Sequence, residues 1–447
     1  MTALLLVAAL TVQAAAPSPD LRDAGAVTAL LSSLRAADST VCELAGRTLT
    51  NQWGWGWTGD LADEPMPAPM PMPMPVPMPM PFAARGPGLD MPRVTHRPGA
   101  TLDASVLAVF RTALRDQSRC VRRLAARIVA REEPTWAASE FTALARDADT
   151  GRREIGLLGL GELEDPQTMG VMTQGLGDRD AGVRAMAAWA LGQLEDPAAI
   201  APLGKALADE SPLVRRRAAW ALGEIEDAAA LTHLERALRD RDVGVRRTAA
   251  WAMGEIESAR AVPLLRTALA DSDASVRRTA IWALGEIEDA AGVEVLAPLV
   301  RDRDAGVRRM AAWALGEIES RRGVSALAPA VTDGDREVRL TALWALGQIE
   351  DAAGVDAVVP ALSDRDAAVR RMAAWALGQI EDASAVRALT PLLGDGDINV
   401  RVTAAWALGQ IESSAALTAL ERARNDRSPS VRRAVEWAIR QIDDDRR

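Results

Sequence analysis

The sequence predicts an all-α solenoid, a stack of about twelve helical hairpins that repeat every 31 residues. Three observations predict it. A tryptophan recurs at this interval nine times, the residues around it hardly change between copies, and the apolar positions follow the period of a helix. The tryptophans are Trp189, Trp220, Trp251, Trp282, Trp313, Trp344, Trp375, Trp406 and Trp437. Since each hairpin can bury its apolar side only against its neighbours, the array is expected to be continuous.

Each copy contains two short helices. The copy that begins at Asp304 reads DAGVRRMAAWALGEIES, and RRGVSALAPAVTDGD follows it. One helical face carries Val307, Ala311, Ala314, Leu315 and Ile318, and the next helix carries Val324, Leu327, Ala328 and Val331. An Asp or Ser stands where each tryptophan-bearing helix should begin, where its side chain can accept from free backbone amides. These predicted caps are Asp180, Ser211, Asp242, Asp273, Asp304, Asp335, Asp366, Asp397 and Ser428.

Weaker copies extend the array toward the N-terminus. Leu158 and Arg127 occupy the tryptophan position in two upstream copies, and Arg47 occupies it in a first copy that an insertion separates from the others. We therefore predict a divergent first hairpin in residues 17–50, an insertion in residues 51–100 and the repeat array in residues 101–447. Divergent end units are typical of repeat proteins.

Residues 1–16 read as a secretory signal peptide, because an apolar run from Leu4 to Leu10 precedes small residues. No Lys or Arg precedes the run, so the first helix of a cytoplasmic protein is the alternative. Export to the periplasm or cell envelope is the prediction. In an exported chain Cys42 and Cys120, which take nearly equivalent places in neighbouring copies, can form a disulfide; two small buried side chains are the alternative.

Composition narrows the classes of function. The net charge of −10 argues against a nucleic-acid binder, and no stretch is long and apolar enough for a stable membrane span. The sequence has two histidines, His96 and His233, and neither belongs to a catalytic or metal-binding motif. We predict no enzyme activity, no metal and no cofactor.

The stretch from Val276 to Ile287 reads VRRTAIWALGEI. It resembles the repeat V-R-x-x-A-A-x-A-L-G-x-I of the HEAT-repeat superfamily, in particular the phycobilisome-lyase HEAT-like type. The resemblance is strong from Asp149 to Ile442 and weak from Ala24 to Arg131. It implies a right-handed superhelix of HEAT-like hairpins. It also implies a structural ladder between neighbouring units, here Asp271, Asp302 and Asp333 with Arg277, Arg308 and Arg339.

The same resemblance bears on activity. The HEAT-like deoxyhypusine hydroxylases hold two irons with several His-Glu pairs. This sequence has none, so that activity is excluded. A lyase-type role follows from the resemblance only by analogy.

The candidate binding site is a row on the second helices. Trp313 lies about 120° from the apolar face, and Arg309 and Glu317 stand four residues before and after it. The resemblance implies that this row lines the concave side. We predict that it binds a protein or an extended peptide, through Trp189, Trp220, Trp251, Trp282, Trp313, Trp344, Trp375, Trp406, Arg216, Arg247, Arg278, Arg309, Glu224, Glu255, Glu286 and Glu317. Further on, Gln348, Gln379, Gln410 and Gln441 replace the glutamate. The alternative is that the indoles pack against neighbouring units, with arginine over them.

The insertion offers a second candidate. NQWGWGWTG runs from Asn51 to Gly59, and Pro alternates mostly with Met from Pro65 to Pro81. Such a chain favours the extended polyproline conformation and cannot build a core. A copper(I) site of methionine thioethers is one interpretation; a solvated loop or docking peptide, which could lie in the protein's own tryptophan row, is the favoured one.

The prediction for the whole chain is a non-enzymatic protein-interaction scaffold. An accessory or lyase-type chaperone subunit of an enzyme complex is the alternative.

Overall fold

The computed structural model describes residues 23–35 and 102–445, and within these ranges every regular element is a helix and no strand occurs. The predicted all-α solenoid of repeated hairpins is confirmed. The chain divides into two compact units, and their described parts are residues 23–35 with 102–252 and residues 253–445. The predicted boundaries at residues 16, 50 and 100 lie outside the described residues, as do the signal peptide and the insertion.

The first unit contains α1 and five hairpins, and the last helix of the fifth hairpin runs across the division. Its helices are α1 (Ala24–Leu34), α2 (Ala104–Ala113), α3 (Arg119–Glu132), α4 (Pro134–Leu144), α5 (Thr150–Leu163), α6 (Met169–Gly175), α7 (Ala181–Gln193), α8 (Ile200–Ala206), α9 (Pro212–Glu224), α10 (Leu231–Ala237) and α11 (Val243–Glu255). Short 3₁₀ turns, Pro166–Thr168, Pro197–Ala199 and Ala228–Ala230, lead into α6, α8 and α10.

The second unit continues with the same alternation. Its helices are α12 (Val262–Leu269), α13 (Ala274–Ile287), α14 (Gly292–Leu296), α15 (Ala305–Glu317), α16 (Gly323–Leu327), α17 (Arg336–Ile349), α18 (Gly354–Val358), α19 (Ala367–Ile380), α20 (Val386–Leu389), α21 (Ile398–Gln410), α22 (Leu417–Ala423) and α23 (Pro429–Asp445). The 3₁₀ segments are Ala259–Ala261, Ala297–Arg301, Ala328–Thr332, Val359–Ser363, Ala383–Ala385, Thr390–Gly394 and Ser414–Ala416.

Proline explains why the first helix of several hairpins in the second unit is short. α16 ends at Leu327 and continues as a 3₁₀ segment with Pro329 near its start. Proline has no amide hydrogen to continue the α-helical bonding, so the chain tightens there. The tighter turn also corrects one predicted core residue: Ala328 is only half-buried, whereas Ala330 is 1% exposed.

The predicted core face of the second helix is confirmed in α15. Val307, Ala311, Ala314 and Leu315 are fully buried, and Ile318 is almost so. Most predicted caps are confirmed as well: the carboxylate of Asp335, for example, accepts from the amides of Glu337 and Val338. Ser211 is an exception, because its side chain makes no cap hydrogen bond and Pro212 supplies the first helical residue instead.

A glutamate with left-handed backbone follows the second helix in nine successive hairpins, with φ between 46° and 53°. These residues are Glu164, Glu195, Glu226, Glu257, Glu288, Glu319, Glu350, Glu381 and Glu412. Glycine is the usual residue in this conformation because a Cβ is crowded there. The amide of Glu319 donates to the carbonyl of Gly316 at 3.0 Å, which closes the end of α15.

Arginine–aspartate pairs connect neighbouring hairpins within each unit at 2.6–2.9 Å. In the first unit the pairs are Arg153–Asp178, Arg184–Asp209 and Arg215–Asp240. In the second unit they are Arg277–Asp302, Arg308–Asp333, Arg339–Asp364, Arg370–Asp395 and Arg401–Asp426. The arginines also donate to backbone carbonyls of their own turn, as Arg308 does to Asp302 at 2.9 Å. The pairs therefore connect the turn of one hairpin to the turn of the next, and the charged groups in them are bound to each other.

The segment before the insertion docks on the array. α1 packs against α2 and α3, and the guanidinium of Arg35 lies 2.9 Å from the carboxylate of Asp116. Cys120, in the first turn of α3, is disulfide-bonded. Cys42 lies outside the described residues, so the predicted pairing stays a prediction.

Candidate partner-binding row

The tryptophan row lies on the second helices, from α7 to α23, as predicted from its spacing. Its first five indoles are nearly buried. The exposed fraction is 6–8% for Trp189, Trp220, Trp251, Trp282 and Trp313. Trp344, Trp375, Trp406 and Trp437 are half-buried. The alternative interpretation, in which the indoles pack against neighbouring units, describes the first five, and their predicted role in partner binding stays a prediction.

Glycine explains the burial. A Cβ built on Gly285 would lie 2.8 Å from Cζ3 of Trp313, so the six-membered ring occupies the space that any other side chain would need. The same contact recurs within each unit at 2.5–3.0 Å. The pairs are Gly161–Trp189, Gly192–Trp220 and Gly223–Trp251 in the first unit, and Gly254–Trp282, Gly285–Trp313, Gly316–Trp344, Gly347–Trp375, Gly378–Trp406 and Gly409–Trp437 in the second. The indole is thus a contact between successive hairpins.

The arginines of the row also reach the next hairpin. Nη1 of Arg278 lies 3.4 Å from the carboxylate of Asp304, which caps α15. In the first unit, Cδ of Arg216 lies 3.4 Å from the position that a Cβ on Gly244 would take. Arg247 and Arg309 occupy the equivalent place and are half-buried. These side chains stabilise the stack, so their predicted role in partner binding stays a prediction.

The glutamates of the row accept from the indoles. The N–H of Trp282 donates to Glu286, and that of Trp313 donates to Glu317. Burial raises the pKa of Glu317 above its ordinary value, and the negative charges of Glu286, Glu288 and Glu319 raise it further, against the opposing hydrogen bond. Burial likewise raises the pKa of Glu286. Glu224 and Glu255 stand at the equivalent position of their helices.

The indoles of the row become more exposed where glutamine replaces glutamate. Trp344, Trp375 and Trp406 are more exposed than the five indoles before them, whose exposed fraction is 6–8%. Each of these indoles is half-buried, and the glutamines four residues on, Gln348, Gln379 and Gln410, are half-buried too. We call these six residues the open part of the row. They present a half-buried indole once in each of three successive hairpins.

The flanks of the open part carry less charge than those of the preceding hairpins. Leu340 and Val402 stand four residues before Trp344 and Trp406, at the position that arginine takes elsewhere, and both are nearly buried. Arg371 keeps the positive charge before Trp375. The exposed left-handed residues Glu350, Glu381 and Glu412 follow two residues after each glutamine. The switch to glutamine marks this segment in the sequence, but it does not predict the greater exposure of the indoles.

Groups that could support catalysis are sparse in the described residues. His233 packs over Gly204 of the preceding hairpin, where a Cβ would meet the imidazole at 2.5 Å. His96 lies outside the described residues. Over residues 23–35 and 102–445, no three His, Cys, Asp or Glu side chains form a cluster suited to a metal ion, and no helix has the length and hydropathy to span a bilayer.

Comparisons with known proteins agree with this geometry. The family model for HEAT repeats matches residues 138–209, 171–245, 236–308, 293–362 and 355–440. The sequence has no significant match among curated proteins.

Among solved structures, a chain from a structure of Kap95p with RanGDP is 14% identical, with 98% of this chain and 62% of that chain covered and a TM-score of 0.54. Human deoxyhypusine hydroxylase in complex with glycerol is 26% identical over 62% of this chain and 96% of that chain, with a TM-score of 0.27. An engineered protein is 24% identical over 75% of this chain and 98% of that chain, with a TM-score of 0.44. At this level of identity the first likeness supports the fold alone, and the other two have no bearing on function.

Proposed function

This chain belongs to the HEAT-repeat family, and we propose that it is a non-enzymatic scaffold that binds a protein partner, in extended conformation, along the open part of its tryptophan row. HEAT-repeat solenoids generally serve as protein-interaction scaffolds. The partner would meet the chain in the periplasm or cell envelope if the N-terminal segment is a signal for export.

One observation carries the proposal. Trp344, Trp375 and Trp406 each present a half-buried indole on successive hairpins, more exposed than the five indoles before them. Tryptophan is the residue most enriched at the energetic centres of protein interfaces, because a rigid apolar body and one donor are presented together. In α13 and α15 the equivalent indoles are only 6–7% exposed. The open part is therefore the place where the row has the most indole surface left for a partner to cover.

The glutamine side chains would supply polar contacts to the partner. The side-chain amides of Gln348, Gln379 and Gln410 can donate and accept, and they carry no charge. An extended peptide displays carbonyls and amides along its length, which matches a row of polar groups on a regular spacing. Compact partners could touch only a few hairpins at a time, so an extended partner uses the row better.

The experiment is affinity capture with the full chain from the native cell envelope, followed by mass spectrometry. The test variant is Gln348→Glu, Gln379→Glu and Gln410→Glu together, which removes a side-chain donor and adds a negative charge beside each indole. The fold should tolerate it, because glutamate stands at the same place in α13 and α15. The control variant, Glu286→Gln with Glu317→Gln, changes the same chemistry outside the open part.

A partner that the wild type and the control retain, and that the triple variant loses at least tenfold, supports the proposal. A partner retained equally by the triple variant, or no protein retained above background by the wild type, overturns it.

A further inference from the structure

We propose that the partner of the open part is an acidic segment in extended conformation, whose carboxylates pair with Arg309, Arg371 and Arg433. This inference rests on the binding row proposed above and identifies the chemistry of its occupant. The three arginines stand one helical turn before the tryptophans of α15, α19 and α23. Leu340 and Val402 take the same position on the two helices between them, so we call the three the alternating arginines.

The alternating arginines have no partner within the described ranges. On α13, by contrast, Nη1 of Arg278 lies 3.4 Å from a carboxylate oxygen of Asp304. The guanidinium groups of Arg309, Arg371 and Arg433 make no ion pair or hydrogen bond with any described residue, and Nε of Arg309 is buried without an acceptor. A guanidinium offers five donors in a planar fork that fits a carboxylate. Each alternating arginine therefore has hydrogen bonds to give that the fold does not use.

The first residues of the next hairpin explain the contrast. A Cβ built on Gly306 would lie 3.1 Å from Nη1 of Arg278, so the glycine leaves the room in which this arginine reaches Asp304. Glu337 and Asn399 stand at the equivalent position in the hairpins that follow the first two alternating arginines. A side chain there fills the room that glycine leaves. These two arginines therefore lack the path by which Arg278 reaches its carboxylate.

The carboxylates around the alternating arginines are bound elsewhere or too far away to pair. The helix caps Asp335 and Asp397 accept from the amides of their own helices at 2.8–3.3 Å. The carboxylate of Glu337 accepts from the arginine before it. Glu436, three residues after Arg433, makes no ion pair with it. A carboxylate from another molecule would thus complete each guanidinium without breaking a bond inside the protein.

Spacing favours an extended peptide. Successive packed helices lie about 8–10 Å apart, so two hairpins cover roughly 16–20 Å. An extended chain rises about 3.3 Å per residue, and six residues cover roughly 20 Å. Residues six apart lie on the same face of an extended chain, because side chains alternate between its faces. A segment with an acidic residue at every sixth position can therefore meet all three alternating arginines from one side.

The switch to glutamine also favours an acidic partner at the open part. The carboxyl groups of Glu286 and Glu317 lie close enough that the negative charge of the first raises the pKa of the second. An acidic segment would add to this repulsion on α13 and α15. Gln348, Gln379 and Gln410 remove it from the open part. The chain as a whole carries a net charge of −10, but at physiological salt charges beyond about 8 Å are largely screened, so the local groups decide.

A nucleic acid fits this surface less well than a peptide. Its backbone carries a phosphate at every nucleotide and is matched by a continuous line of cations. Here Leu340 and Val402 interrupt the line at every second helix. The interruption suits a ligand whose charges are far apart.

The experiment titrates the full chain into fluorescently labelled peptides of thirteen residues with blocked ends and follows anisotropy. The test peptide has glutamate at positions 1, 7 and 13 and threonine elsewhere. One control peptide has glutamine at those positions, and another has glutamate at positions 1, 6 and 11, which places successive carboxylates on opposite faces. The test peptide should bind at least about tenfold more tightly than either control. Its affinity should fall as the salt concentration rises, because the contacts are ionic.

A triple variant locates the contact. Arg309→Gln with Arg371→Gln and Arg433→Gln should weaken binding of the test peptide at least about tenfold. The fold should tolerate it, because Leu340 and Val402 show that the position needs no charge, and thermal melting checks this. A matched control removes the same number of charges from exposed turns of the same hairpins and should bind the test peptide as the wild type does: Arg303→Gln with Arg365→Gln and Arg427→Gln.

The inference is overturned if the test peptide does not bind, if it binds no better than the control peptides, or if the triple variant binds it unchanged. Equal losses in the triple variant and its matched control would also overturn it, because net charge alone would then explain binding. So would a single-stranded oligonucleotide that binds the alternating arginines more tightly than the test peptide does. Failure here, with a partner still captured from the cell envelope through the open part, would leave the proposed function in place.

Discussion

Trp313 lies over Gly285 of the preceding hairpin, and its Cζ3 stands 2.8 Å from the point that a Cβ on that glycine would occupy. The indole buries its six-membered ring between the two second helices and turns its N–H toward Glu317 of its own helix. One residue thus joins two hairpins and places a hydrogen-bond donor at the edge of the row. In α17 the same packing against Gly316 leaves the indole of Trp344 half-buried.

Replacing Gly316 by alanine should destabilise the second unit. The new Cβ would meet Cα of Ala345 at 2.9 Å and Cζ3 of Trp344 at 2.8 Å, and a backbone atom cannot move aside cheaply. We expect a loss of about 1–3 kcal/mol in the free energy of unfolding, measured in urea. Gly334→Ala is the matched control, because no atom lies within 4 Å of its Cβ. An unchanged midpoint for Gly316→Ala would contradict the close approach.

Replacing Trp282 and Trp313 by alanine should lower stability strongly rather than only weaken binding. Both side chains are 6–7% exposed, and truncating a buried tryptophan costs roughly 3–5 kcal/mol per site. Thermal melting should show a shift of the cooperative transition by many degrees or its loss. A double variant that melts within a few degrees of the wild type would show instead that the indoles do not hold the hairpins together.

Replacing Asp302 by alanine should cost about 3–5 kcal/mol, because the nearly buried Arg277 then lacks its carboxylate. The loss should depend on pH. Burial raises the pKa of Asp302, but the amide of Asp304 and the Arg277 guanidinium outweigh it, so the pKa lies below the usual 3.8. The stabilisation is therefore present above pH 3.8 and is lost as the pH falls through the folded-state pKa. Unfolding curves between pH 2 and 7 should show the gap between wild type and variant closing at the acid end. A constant gap would argue against the pair.

Replacing Glu317 by glutamine should have the opposite pH dependence. Burial raises the pKa of Glu317 above its usual 4.5, so the penalty on the folded state grows as the pH rises from 4.5 to the folded-state pKa and is complete above it. The penalty is absent below pH 4.5. The stability of the wild type relative to Glu317→Gln should therefore decline as the pH rises from about 4 to 7. A difference that is independent of pH would show that Glu317 titrates normally.

Replacing Glu319 by glycine should stabilise the protein slightly. Glu319 has φ of 47°, a left-handed conformation that costs a residue with a Cβ about 1 kcal/mol. Glu319→Ala is the control, since it removes the carboxylate and keeps the Cβ. We expect a gain of about 0.5–1 kcal/mol for glycine and none for alanine by urea unfolding. Equal effects would indicate that charge, not backbone strain, dominates at this position.

The fold and the core could be predicted from the sequence, because each apolar face recurs with the helical period in every repeat. Val307 and Leu315 were placed correctly for that reason. The angular position of Trp313 on its helix could not predict its burial. A side chain about 120° from the core face can point to solvent or to the next hairpin, and the contact with Gly285 shows that Trp313 packs against a neighbouring hairpin. The shift of burial from Ala328 to Ala330 depends on a 3₁₀ turn, which the helical period does not describe.

Because the nine glycine–indole contacts are alike, the number of hairpins in the array can change. Each joint presents the same glycine and the same indole, so this contact does not specify which hairpin comes next. A block of 31 residues, cut at any left-handed glutamate, could be removed or added and the two new ends would still match. Arrays of different length should therefore be within reach of a single recombination event.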